Sequence, residues 1–68
     1  MSWDIIEGKW KQFAGKAKEE WGELSEEDID KIDGQRDQLE GRIQEAYGKS
    51  KAEAREEVNS WLSRVSNM

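Results

Sequence analysis

The chain has 68 residues, a net charge of −5, 40% charged against 34% hydrophobic residues, and a mean hydropathy of −1.12. It contains no Cys and no His, which removes disulfides, thiolate chemistry, the commonest metal ligand and the usual neutral-pH proton shuttle, so no cofactor is expected. Such a length supports one small domain near the lower limit for unaided folding, and four Trp supply the apolar area for its core.

With no Pro, no Asn-Gly pair and few β-branched runs, helices are the supported element. Trp3, Ile6, Trp10, Phe13, Ala17 and Trp21 recur at helical spacing and predict one helix over residues 3–21. Gly22 stands at its expected C-cap, and Leu24 carries the apolar face into the turn. Ser25 with Asp28 reads as a capping box, with Asp a shorter reach than Glu, and the acids at 26–28 suit a helix N-terminus. Ile29 and Ile32 give this second segment its buried side, and Asp33-Gly34 predicts a break or strong bend. Arg36, Leu39, Ile43, Ala46 and Tyr47 mark a third helix ended by Gly48. Ser50 and Glu53 form a better capping box for a last helix with Ala54, Val58, Trp61 and Val65 on one stripe and Leu62 beside it. Residues 66–68 are expected to fray.

The predicted fold is all-α: four short helices forming two α-hairpins, about 3–33 and about 34–65, packed around Trp10, Phe13, Trp21, Ile32, Leu39, Ile43, Val58 and Trp61. A degenerate tandem repeat supports the division. Glycines fall at 8, 15, 22 and at 34, 41, 48, and a shift of 26 superposes Ile6 on Ile32, Phe13 on Leu39, Lys16 on Arg42 and Trp21 on Tyr47.

On a helical wheel Gly8 and Gly15 lie roughly opposite the Trp/Ile/Phe face, and Gly34 and Gly41 opposite Leu39 and Ile43. Interior Gly costs a helix about 1 kcal/mol relative to Ala. Three readings follow. The glycines are repeat markers or let one hairpin's backbone approach the other, or a second chain packs on the smooth face. In the third, weakened helices loosen and order with water activity.

The acidic excess lies at residues 23–34, where six acids face Lys31 alone, and such a balance argues against nucleic acid as a partner. The stretch Asp28-x-Asp30-x-x-Asp33-Gly34 fails the calcium-loop register, since its sixth and twelfth residues are Asp33 and Leu39. Lys9, Lys11, Lys16 and Lys18 border the aromatic stripe of the first helix. That pattern fits a core-facing helix with a charged margin, and less well a membrane-surface helix or a single-strand nucleic-acid binder. No run of about 18 apolar residues is present, so no transmembrane segment is expected. With no secretory signal visible, the expected location is the cytoplasm. Catalysis has almost no footing: no serine has a histidine partner, and no glycine-rich loop follows a strand.

Gly8-Lys9-Trp10-Lys11-Gln12, Gly15, Lys18 and Trp21-Gly22 resemble the opening of the CsbD-like family of small bacterial stress proteins. Leu24-Ser25, Asp28, Ile32, Gly34, Arg36-Asp37-Gln38-Leu39, Gly41, Ile43-Gln44-Glu45, Tyr47-Gly48, Ala54, Val58 and Trp61 continue the pattern, so the resemblance spans residues 3–61. It implies two roughly orthogonal α-hairpins and expression under general stress, with no catalytic or ligand residues and no assigned molecular activity. Ala17 and Glu40 depart from it, standing where a larger apolar residue is common. The expected function is non-enzymatic, by protective presence or by binding an as yet unidentified protein, as a monomer or weak dimer. The candidate interaction surface is Gly8, Gly15, Gly41, Lys9 and Lys16 or the acidic segment 23–34.

Overall fold

A computed structural model describes residues 2–66, and among these the regular structure is entirely helical. Five helices follow in order: α1 (Trp3–Gly8), α2 (Trp10–Glu20), α3 (Glu26–Ile32), α4 (Arg36–Tyr47) and α5 (Lys51–Val65). Each packs mainly on its neighbours in sequence, α1 on α2, α2 on α3, α3 on α4 and α4 on α5. The fold is therefore all-α, with five helices in place of the four read from periodicity. No helix among the described residues is long and apolar enough to cross a membrane.

The extra element arises where residues 3–21 divide. Lys9 leaves helical geometry at φ −120° and ψ 33°, its N–H closing α1 on Ile5 and Ile6 while its carbonyl accepts from Gln12 to restart the helix as α2. Gly8 keeps helical geometry as the last residue of α1, so the change of direction falls on Lys9 itself. The turn sets Trp3 where its Nε1–H donates to the Gly34 carbonyl at 2.8 Å and its ring meets Trp61.

The repeat explains this break. Lys9 and Gln35, 26 positions apart, are the N-caps of α2 and α4, so each unit is a short helix, a Gly and a long helix. The glycines are nonetheless used unequally. Gly48 takes φ 64° and caps α4, whereas its counterpart Gly22 has no left-handed conformation; α2 ends a residue earlier on Trp21, correcting the expected C-cap. Gly34 is corrected more strongly. It does not look outward but lies buried in the α3–α4 turn at φ 81°, following Asp33 at φ 48°.

Both capping boxes form. Glu53 accepts from the Ser50 N–H at 2.9 Å, while the shorter Asp28 reaches the Ser25 N–H at 3.3 Å. The core contains the expected Trp10, Trp21, Ile32, Leu39, Ile43, Val58 and Trp61, together with Ile6, Ala17, Leu24, Ile29, Ala54 and Val65. Phe13, expected inside, is half-buried against this cluster. Of the tail expected to fray, Ser66 ends in a turn and residues 67–68 lie outside the described residues.

Candidate functional surface and its polar contacts

Gly8 on α1, Lys9 in the turn after it, and Gly15 and Lys16 on α2 are exposed, and Gly41 is half-buried on α4. A Cβ built on Gly8, Gly15 or Gly41 would meet nothing within 4 Å, so none of the three serves a close backbone approach. That role falls to Gly34, where a Cβ would stand 3.0 Å from both Cα and O of Glu7. The candidate residues do not share one groove. Gly15 lines a groove with Glu26, Ile29 and Asp30 of α3; Gly8 and Lys9 line another with Asp33; Lys16 borders a third with Trp61 and Arg64.

Acids answer the lysines in every one of these grooves. Lys18, read as part of a basic border, instead turns its ammonium onto the carbonyls of Gly22 at 2.9 Å and Leu24 at 2.6 Å. There it satisfies acceptors beyond the end of α2, as cations near a helix C-terminus do. Within the acidic segment, residues 26–32 are helical; Glu27 pairs with Lys31 at 2.9 Å, and Asp28 faces Arg42 at 3.9 Å. Among the described residues no group of three or more acids is placed to hold a metal ion.

Two polar clusters inside the fold were hidden from the sequence. Glu40, buried at 5% exposure, is held by Arg36 Nε at 2.8 Å, one helical turn back on α4. The same guanidinium reaches the Arg55 carbonyl and Asn59 on α5, and lies 5.8 Å from the centroid of the Trp3 ring. A buried charge is tolerable only when paired. What reads as a packing defect at position 40 is thus the anchor of an arginine that ties α4 to α5 and α1. Ala17, the other departure, is fully buried.

The second cluster centres on Glu57 of α5. Its Oε1 accepts from Trp21 Nε1 at 3.1 Å, and its Oε2 pairs with Lys49. Burial pushes the Glu57 carboxyl upward, but the hydrogen bonds from Lys49 and Trp21 outweigh it and hold the group below its ordinary 4.5. Lys49 is correspondingly raised, chiefly by its bond to Glu57. Beside it, the Tyr47 hydroxyl accepts from the Glu23 N–H at 3.1 Å, joining the α2–α3 turn to the end of α4.

A sequence model of the CsbD-like family matches residues 4–56. UPF0337 protein YjbJ of Escherichia coli (strain K12) is 52% identical over 64 residues, covering 94% of this chain and 93% of that protein. UPF0337 protein RPA4217 of Rhodopseudomonas palustris is 51% identical over 63 residues, 93% of this chain and 96% of its own. UPF0337 protein PA4738 of Pseudomonas aeruginosa is 46% identical over 65 residues, 96% of this chain and the whole of its own. No solved structure matches the chain.

Proposed function

The chain belongs to the CsbD-like family, and on that footing we propose a non-enzymatic stress-response protein of the bacterial cytoplasm that protects other proteins by its presence. One observation carries the reading. Gly15 and Gly41 sit inside helices with open space where a Cβ would lie, so no contact in the fold calls for glycine there. Each forfeits about 1 kcal/mol of helix stability, against a total of about 3–5 kcal/mol for a core of this size. Helices held so close to their limit respond to solvent. Solutes excluded from protein surface strengthen burial and shift such a chain toward its ordered state.

The test pairs far-UV circular dichroism with enzyme survival. Helicity should rise as sucrose lowers water activity, and a drying-sensitive enzyme should keep more activity with the protein than with an equal mass of albumin. The Gly15→Ala/Gly41→Ala double variant should start more helical and respond less. Flat helicity together with no survival advantage would remove the reading.

A further inference from the structure

The four indoles form one connected series. Ring centroids are 6.5 Å apart for Trp10–Trp3, 6.0 Å for Trp3–Trp61 and 5.3 Å for Trp61–Trp21. Opposite charges meet its two sides: the Arg36 guanidinium faces the Trp3 ring, and the Glu57 carboxylate accepts the Trp21 N–H. Glu40 offsets part of the first charge and Lys49 part of the second, yet the guanidinium and the carboxylate are the groups set against the rings. The N–H partners differ in kind as well. Trp3 and Trp10 donate to the carbonyls of Gly34 and Ile29, which cannot take up a proton, whereas Trp21 donates to a base. Satisfying a buried indole requires an acceptor; it does not require a carboxylate.

We propose that this series relays one-electron oxidation from the half-buried Trp3 to the buried Trp21, with Glu57 as the proton acceptor. A radical oxidant of the carbonate-radical class takes one electron from Trp3 and is reduced. Trp61 refills Trp3, and Trp21 refills Trp61. The Trp21 radical cation, far more acidic than neutral indole, passes its Nε1 proton to Glu57 Oε1, leaving a neutral indolyl radical and a carboxylic acid. A thiolate reductant then supplies one electron, becoming a thiyl radical, while Glu57 returns the proton. Positive charge beside Trp3 and negative charge beside Trp21 drive the electron deficiency the same way. This activity does not rest on the solvent-response reading.

Pulse radiolysis of the full chain with azide radical, a one-electron oxidant of indoles, tests it. Transient absorption distinguishes the cation from the neutral radical, and peptide mapping locates the oxidised residue. In the unmodified chain the product should map to Trp21. In Glu57→Gln the amide still accepts the hydrogen bond but not the proton, so the neutral radical should form roughly a hundredfold more slowly, the contribution of a positioned base. In Trp3→Phe, oxidation at Trp21 should fall to a small fraction. Product at Trp3 or Trp10 in the unmodified chain overturns the relay, as does a wild-type rate in Glu57→Gln or undiminished Trp21 oxidation in Trp3→Phe. Helicity of both variants is checked by circular dichroism, and the product map of the unmodified chain decides alone if either loses it.

Discussion

Replacing Gly34 by Ala should unfold much of the protein, although five of the six glycines have open space around them. At φ 81° an L-residue meets left-handed strain of roughly 1–2 kcal/mol. The new methyl would also stand 3.0 Å from Cα and O of Glu7, backbone atoms of α1 that cannot rotate aside. Overpacking of this kind costs typically 1–3 kcal/mol, and moving α1 loosens the Trp3 bond to the Gly34 carbonyl. The sum, about 2–5 kcal/mol, rivals the whole stability of so small a core. Gly15→Ala is the matched control. It adds the same methyl at an exposed helical position with nothing nearby, so it should gain about 1 kcal/mol and raise Tm by about 4–8 °C. Thermal and urea melts followed at far-UV wavelengths measure both. A Gly34→Ala protein melting with the wild type, or a Gly15→Ala protein melting below it, would refute the assignment of the two glycines.

Trp61→Ala removes a side chain 2% exposed that touches Trp3 and Trp21, and should cost about 3–5 kcal/mol, read as loss of the cooperative urea transition. Ser25→Ala and Ser50→Ala each delete a hydroxyl that accepts a helix-start N–H, and should each lower stability by about 1 kcal/mol in urea melts. Glu53, through its bonds to the Ser50 N–H and hydroxyl, and Glu57, through Lys49 and Trp21 against the pull of burial, both lie below the ordinary 4.5. Their stabilisation is complete above that pH and lost as pH falls through the folded values, so the urea midpoint should drop on acidification and drop less in Glu57→Gln. Anionic vesicles should leave the protein in the supernatant after co-sedimentation, because Lys18 is engaged with carbonyls and acids face the other lysines; pelleting would restore the membrane-surface reading.

The helix class, both capping boxes and most of the core were legible because each depends on spacing within one segment. The division of residues 3–21 was masked by its own regularity: the apolar stripe from Trp3 to Trp21 continues in phase across Lys9. The repeat held the missing signal, since Gly8 aligns with Gly34, where a break was expected. Phe13 illustrates the opposite failure. It shares the stripe of Trp10 and Ala17, but α2 turns those two inward and leaves Phe13 at the margin. The clusters around Arg36 and Glu57 join α1, α4 and α5, or the end of α2 to α5, and no local pattern reports contacts across such distances along the chain.

Packing each helix chiefly on the next in sequence has a kinetic consequence. Loops that close early are short, so little entropy is lost before contacts repay it, and helical chains wired in this way fold in microseconds to milliseconds. The contact of Trp3 with Trp61, by contrast, is long-range and joins the first helix to the last. A chain of this topology should refold quickly once denaturant is diluted away.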